Sequence, residues 1–262
     1  MVPDAADCLV ATIDMQQHGF WYVVRAWQAS PRKSWLIECG ELGTWDDIDN
    51  LIFDRSWQNG SGRHFNIWRA GIDSGGGKDE GSLVSRTEEL YSWYIKNLAR
   101  AYGKVWLCKG SSRAMPQILN VGKVLASTPS GRKIDSYGLR IVTLSTQELK
   151  RLFLHGLQQA IEKGSQAAYL HKNMPPQYYR HITAEAETDS GDFERIRSDN
   201  HLFDCEATQY AMVNRLLFGG ADRFVRAQPQ QTPQQQQPEP EQQPAARRVE
   251  YQEPESTILR RY

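Results

Sequence analysis

The chain has 262 residues, with 31 Lys or Arg and 31 Asp or Glu, so its formal net charge at pH 7 is zero. This length fits one large domain or two small ones. The balanced charge argues against a protein that coats nucleic acid nonspecifically, but it is compatible with an enzyme that has a local basic groove. The four cysteines lack the short spacing of a zinc site and predict free thiols in a reducing cytoplasm. No apolar run approaches the roughly 20 residues of a membrane span. The N-terminal residues are acidic and lack the basic start that is typical of a signal peptide. We therefore expect a soluble cytoplasmic protein.

The first half of the chain predicts an α/β fold with a mixed five-stranded sheet flanked by helices. Short connections between the first three strands favour an antiparallel meander. Thr44 is a predicted helix N-cap with Asp47 at the third helical position. The predicted strands cover residues 9–15, 20–28, 34–39, 67–73 and 105–108, and a long helix is predicted over residues 87–102.

The second half predicts fewer regular elements. A strand over residues 139–144 leads into the pattern Ser145-Thr-Gln-Glu148, which is typical of a capping box and opens a helix to about residue 159. Residues 164–198 are expected to be irregular, because Pro175-Pro176 should break any helix. A last helix is predicted over residues 199–218, stopped by Gly219-Gly220.

A compositional change near Gln228 divides the chain. Residues 227–262 are rich in Gln and Pro and poor in large apolar side chains until Ile258-Leu259. Such a segment buries too little surface to offset its ordering entropy. We therefore predict one folded domain over residues 1–226 and a disordered tail over residues 227–262.

Three aspartates are the strongest chemical signal. Asp14 and Asp73 each close an apolar run, and Asp204 interrupts a largely apolar helical pattern. A crossover connection makes the strands that end at Asp14 and Asp73 parallel neighbours, so both carboxylates should lie at the same sheet edge, where open α/β sheets bind ligands. Clustered carboxylates suit two Mg²⁺ or Mn²⁺ ions acting on a phosphodiester. The alternatives are ordinary turn or cap roles for each aspartate, and an arginine partner for Asp204.

His201 lies one turn before Asp204 on the same predicted helical face. It could orient a water or act as a general acid or base. The alternative is a histidine with only local hydrogen bonds in the first turn. Glu206 should point away from Asp204, and we expect it to face solvent or to act at a distance.

Basic residues around the predicted loops are candidate phosphate contacts. The run Gly75-Gly-Gly-Lys78 does not fit a P-loop, because Ile72 stands where the first glycine is required and Asp79 follows the lysine. For each basic residue the alternative is a solvated surface charge. The predicted DNA contacts are Lys78, Lys109, Arg113, Lys123, Arg132 and Lys133.

Four short motifs over residues 8–218 resemble the nuclease domain of the lambda-type large terminase family of tailed phages. They are Ile13-Asp-Met-Gln16, Ile72-Asp-Ser-Gly-Gly76, Lys109-Gly110, and Asp204-Cys205 with Tyr210-Ala211. One departure is His201, which stands where the family commonly has a glutamate. No Walker motif is present, so we expect a nuclease domain that is cut from a longer protein or encoded separately.

The resemblance implies an RNase H-like fold and an endonuclease that cuts concatemeric double-stranded viral DNA during packaging. It implies Asp14, Asp73 and Asp204 as ligands of two Mg²⁺ or Mn²⁺ ions, with Asp14 bridging them. It also implies DNA, the packaging ATPase domain, the small terminase subunit and the portal as partners, and no membrane. The open alternatives are another RNase H-like nuclease of resolvase or integrase type, and a non-catalytic docking module of the packaging motor.

Overall fold

The structure, a computed structural model, describes residues 1–75, 85–111, 113–127 and 133–225. Within these residues nine strands form one mixed sheet in the order β7-β8-β6-β5-β1-β2-β3-β9, with β4 paired to β5, and β10 and β11 form a separate hairpin. The strands are β1 (Cys8–Gln16), β2 (Gly19–Gln28), β3 (Lys33–Leu42), β4 (Ser56–Gln58), β5 (His64–Asp73), β6 (Val105–Gly110), β7 (Leu119–Ser127), β8 (Lys133–Leu144), β9 (Ala168–Tyr169), β10 (Glu185–Glu187) and β11 (Phe193–Arg195).

Helices cover both faces of the sheet. They are α1 (Trp45–Asp49), continued by a π-helical turn (Asn50–Asp54), then α2 (Arg86–Lys96), α3 (Leu98–Ala101), α4 (Thr146–Glu162), α5 (Pro176–Ile182) and α6 (His201–Val213), and a 3₁₀ turn (Gly220–Phe224) follows α6. Thr44 is the N-cap of α1 as predicted, and with Asp47 it forms a capping box. None of the helices in the described residues is long and apolar enough to cross a membrane.

The centre of the sheet has the predicted topology. Strands β1, β2 and β3 form an antiparallel meander, whereas β5 runs parallel to β1 and β6 runs parallel to β5. This order, β3-β2-β1-β5-β6, is the one expected of an RNase H-like sheet, and the predicted fold class is confirmed. The sheet has more than the five strands predicted: β7 and β8 extend one edge, β9 extends the other, and β4 pairs with β5. The strand predicted over residues 139–144 is the last part of β8.

Several predicted boundaries are wrong. Ser145 makes no side-chain capping bond, so the predicted capping box at α4 does not form. Pro176 begins α5 instead of preventing it, since proline is well tolerated in the first turn, where its missing N–H has no intrahelical partner. The last helix ends at Val213, and the turn at Gly219, with φ +81°, separates it from the 3₁₀ turn.

Strand β1 is buried on both faces, and its alternating side chains separate two halves of the core. Leu9, Ala11 and Ile13 pack in the cluster that includes Ile48 of α1 and Leu90 of α2. Val10 packs in a second cluster with residues of α6. Because side chains alternate along a strand, Asp14 shares the face of Val10 and therefore faces α6. Residues 226–262, with the predicted tail, lie outside the described residues.

Candidate active site

Asp14 and Asp73 lie side by side at one end of two central strands. The parallel register pairs Ile13 with Ile72, so the next residue on each strand is an aspartate. Residues paired in this way point to the same face, and parallel strands end at the same sheet edge. Local sequence thus places both carboxylates on the face covered by α6.

Helix α6 docks closely on that face. A Cβ atom at Gly71 would lie 2.9 Å from Sδ of Met212 and 3.1 Å from Cγ2 of Thr208, so the absence of a side chain permits the approach. Gln209 Nε2 donates to the carbonyl of Val10 at 3.1 Å and to the hydroxyl of Thr12 at 3.0 Å. These buried bonds fix the rotation of α6 and bring its first turn, with Asp204, to the aspartate edge.

Asp14 is buried and paired with His201. Its Oδ2 atom lies 2.9 Å from Nδ1 of His201 and accepts a bond from Gln16 Nε2 at 2.7 Å. The ring of His201 stacks on Trp21, with centroids 5.9 Å apart. Burial raises the pKa of Asp14, although His201 and Gln16 oppose the rise. Burial alone would lower the pKa of His201, but the hydrogen bond and the charge of Asp14 outweigh this effect. The pKa of His201 is therefore raised.

Asp73 has a strongly raised pKa. Burial, with the negative charges of Asp14 and Asp204, raises the pKa of Asp73 to about 7, against the opposing effects of the Gly75 N–H and of Lys109. The Gly75 N–H donates to Asp73 Oδ1 at 3.1 Å. The three aspartates are therefore close enough for each ionised carboxylate to disfavour the next.

Asp204 lies between an ammonium group and an amide. Lys150 Nζ is 2.8 Å from Asp204 Oδ1 and 2.7 Å from Glu185 Oε2. Asn200 Nδ2 bridges the same two acids, at 2.8 Å from Asp204 Oδ2 and 2.5 Å from Glu185 Oε1. Burial raises the pKa of Asp204, and Lys150 opposes this. The alternative of a basic partner for Asp204 thus holds in part, with lysine in place of arginine.

The donor chemistry of this edge fits a hard cation. Asp14, Asp73 and Asp204 offer carboxylate oxygens, the ligands that Mg²⁺ and Mn²⁺ prefer. The raised pKa values of all three acids and of His201 mean that the edge favours added positive charge, as a proton or as a metal ion. In the described residues, however, no three His, Cys, Asp or Glu side chains are grouped as the ligands of one ion.

The predicted DNA contacts lie in different places. Lys109 and Lys123 line a cavity of about 230 Å³ together with Ser74 and Gly75, next to Asp73. Arg113 is exposed in a loop, where its N–H bonds to Ser111. Lys133 begins β8, but its side chain is outside the described residues, as are Lys78 and Arg132.

Glu206 does not face solvent as expected. It is fully buried and pairs with Arg25, whose Nε and Nη2 atoms lie 2.5 and 3.1 Å from its two oxygens. The hydroxyl of Tyr178 donates to the same carboxylate at 2.7 Å. Both charges are therefore paired inside the core, one turn from the aspartate edge.

Lys150 and Glu185 are the two site residues that sequence reasoning missed. Lys150 shares the buried face of α4 with Leu149, Phe153 and Gly156, and a charge among apolar positions was the available signal. Glu185 lies in the segment expected to be irregular, and no pattern in its neighbourhood marks it. Glu185 reaches Lys150 only because β10 lies next to α4 in the folded protein.

This chain matches a family of known proteins and is similar to a solved structure. Residues 1–222 match the family described as terminase large subunit gpA, endonuclease domain. Among solved structures the chain is similar to the P22 large terminase nuclease domain, with 10% identity, a TM-score of 0.37, and coverage of 85% of this chain and 88% of that one. A search of curated proteins finds no match.

Proposed function

Because the chain belongs to the family of the terminase large subunit gpA endonuclease domain, we propose that it is a metal-dependent endonuclease that cuts concatemeric double-stranded viral DNA during packaging. The observation that supports the catalytic part is the electrostatic coupling of Asp14, Asp73 and Asp204 at one sheet edge. Its partners are double-stranded DNA and, by family, the packaging ATPase domain, the small terminase subunit and the portal.

Asp14, Asp73 and Asp204 are the residues that would hold Mg²⁺ or Mn²⁺. When bound, such ions stabilise the charge that develops on the phosphodiester and lower the pKa of the attacking water. The carboxylates supply the oxygen ligands, and Asp14 is buried whereas Asp73 is half-buried, so both have restricted access to competing water.

His201 is the proposed proton-transfer group of the site. Its Nδ1 atom is held by Asp14, which fixes the ring orientation and leaves Nε2 as the second titrating atom. At neutral pH such a group can accept a proton from the attacking water or return one to the leaving oxygen. Lys109 and Lys123 lie beside Asp73 and are suited to bind the phosphates of the strand being cut.

Plasmid nicking in Mn²⁺ tests the proposal. Asp14→Asn should cut at least about a hundredfold more slowly, since metal stabilisation of the transition state is worth several kcal/mol. The matched control is Asp189→Asn, a change at an exposed aspartate outside the site. Unchanged nicking by Asp14→Asn contradicts the assignment of Asp14.

Calorimetric titration with Mn²⁺ separates an endonuclease from a docking module. An endonuclease of this kind binds Mn²⁺ and loses that binding in Asp14→Asn and Asp73→Asn. A docking module binds no Mn²⁺, and the same substitutions leave its response to metal unchanged. A requirement for a 3′-hydroxyl donor strand would instead indicate an enzyme of the integrase type.

A further inference from the structure

A second cavity, of about 510 Å³, lies away from the aspartate edge. Val105 and Trp106, at the start of β6, form part of its wall, whereas Lys109 lies at the other end of that strand. Arg69, which also lines the cavity, precedes Asp73 by four residues on β5, which is roughly 13 Å along an extended strand. This cavity is therefore distinct from the proposed active site, and its volume is in the range of small-molecule pockets.

Three arginines give the cavity its charge. Arg69, Arg140 and Arg223 all line it, and no aspartate or glutamate is among the described residues of its wall. The acid next to Arg223 in sequence, Asp222, is already paired with Arg32 at 2.5 Å. The cavity thus concentrates positive charge without a described carboxylate to balance it.

Arg69 is buried, with only 2% of its surface exposed. Its Nη1 atom donates to the carbonyl oxygens of Met212 and Leu217, at 2.6 and 3.1 Å, so part of the guanidinium supports the end of α6. Its Nε atom has no hydrogen-bond partner among the residues that the structure describes. Burial and the charge of Arg223 lower the pKa of Arg69 to about 10, and no carboxylate among the described residues of the cavity wall balances the cation. A bound anion would do so.

The remaining wall is aromatic and rich in donors. Trp106 stacks on Phe218 with ring centroids 5.2 Å apart, and within the described part of the chain its buried Nε1 has no hydrogen-bond partner. Tyr102 is 81% exposed at the rim, which is unusual for a ring of this size. Arginine and tryptophan side chains can only donate hydrogen bonds, so the preferred ligand is rich in acceptors.

We propose that this cavity binds a nucleotide, with the phosphate held by Arg140 and Arg223 over Arg69 and the base against the aromatic wall. Guanidinium groups bind phosphate oxygens in pairs, and bases stack on aromatic rings and on arginine planes. The nucleotide could be free or the terminal residue of a DNA strand, and both sources present the same phosphate and ring. The proposal is independent of the endonuclease activity.

Calorimetric titration of the full chain with deoxyadenosine monophosphate tests this proposal. EDTA is present throughout, so that metal-dependent binding at the aspartate edge does not contribute. Wild-type protein should bind, and Arg140→Ala and Arg223→Ala should each weaken binding about tenfold or more, because each removes hydrogen bonds to a charged group. Both arginines are exposed, so these variants should fold, and Arg63→Ala removes an exposed arginine elsewhere as the charge-matched control.

Two further measurements test whether the base contributes to binding and whether the nucleotide is free or at the end of a DNA strand. Inorganic phosphate should bind at least about tenfold more weakly than the nucleotide, and Tyr102→Ala should weaken nucleotide binding without affecting phosphate. A 5′-phosphorylated single-stranded oligonucleotide that displaces the nucleotide identifies a strand end, and failure to displace it identifies a free nucleotide.

The proposal is overturned if no nucleotide binding is detected at millimolar concentration, or if Arg140→Ala and Arg223→Ala bind as tightly as wild type. Equal affinity for inorganic phosphate overturns the part assigned to the aromatic wall. Neither result bears on the endonuclease, which is measured separately by plasmid nicking.

Discussion

Lys150 Nζ lies 2.8 Å from Asp204 Oδ1, so a buried ammonium on α4 contacts an acid on α6 that is a proposed metal ligand. The same ammonium contacts Glu185, and the side chain of Lys150 is only 8% exposed. One cation therefore balances two carboxylates in a setting where an unpaired charge is strongly unfavourable. This contact ties the two helices together at the edge where the proposed chemistry takes place.

Replacing Lys150 with methionine should destabilise the protein. The change leaves Asp204 and Glu185 without their cation, and breaking a buried pair in this way lowers the free energy of unfolding by about 3 kcal/mol. Urea unfolding in EDTA measures this, with Lys172→Met, at an exposed lysine, as the control. If Asp204 also binds a metal, added Mn²⁺ should restore part of the lost stability. A Lys150→Met protein as stable as wild type in EDTA contradicts this role.

His201→Ala should slow DNA cleavage by roughly a hundredfold, since general acid–base groups contribute on this scale. Its ring contacts Asp14 and stacks on Trp21, so the substitution removes the proton-transfer group and leaves the three aspartates in place. The measurement is the nicking rate in saturating Mn²⁺. His171→Ala, at an exposed histidine, is the control. Equal rates for His201→Ala and wild type would mean that His201 has only a local structural role.

The buried pair of Arg25 and Glu206 should behave as a unit. Glu206→Met leaves Arg25 charged in the core and should lower the free energy of unfolding by about 3–5 kcal/mol, as should Arg25→Met. The double variant, with both charges removed, should lose less than the sum of the two single changes. Chemical denaturation of the four proteins gives the coupling energy. Additive losses would show that the 2.5 Å contact contributes no coupling.

Glu38 should make stability depend on pH in the acidic range. Burial favours its protonated form, but hydrogen bonds from Arg55, Tyr22 and Trp57 outweigh this and lower the pKa of Glu38. A carboxyl whose pKa is lower in the folded state stabilises the protein above its unfolded pKa, and that stability is lost as pH falls through the folded pKa.

Comparison of Glu38→Gln with wild type across pH isolates this effect. Near neutral pH the wild type should be more stable by about 1 kcal/mol, a modest value because Arg55 and Glu38 are both partly exposed. The difference should begin to shrink as pH falls past the unfolded-state pKa of glutamate, about 4.3, and should be lost as pH falls through the lowered pKa of folded Glu38. Glu194→Gln, at an exposed glutamate, is the control. A difference that does not change with pH would contradict the assignment.

The sheet edge was largely predictable from the sequence. Apolar runs that end in Asp14 and Asp73 predict strand ends, and a crossover connection predicts parallel neighbours at one edge. The structure has that register, with Ile13 beside Ile72. The first turn of the last helix was also predictable, because its apolar periodicity extends through the positions around Asp204. These features are local, since each depends on the alternation or periodicity of a few consecutive residues.

The partners of the acids were decided by tertiary structure alone. Lys150 lies 54 positions before Asp204 and meets it only because α4 packs against α6. Glu185 reaches the same ammonium from a short strand that no periodicity predicts. Glu206 was expected to face solvent or to act at a distance, because it points away from Asp204 on an isolated helix. In the folded protein, Arg25 of β2 pairs with Glu206 inside the core. Periodicity within one element determines which face a side chain occupies, whereas the docking of distant elements determines which charge it meets there.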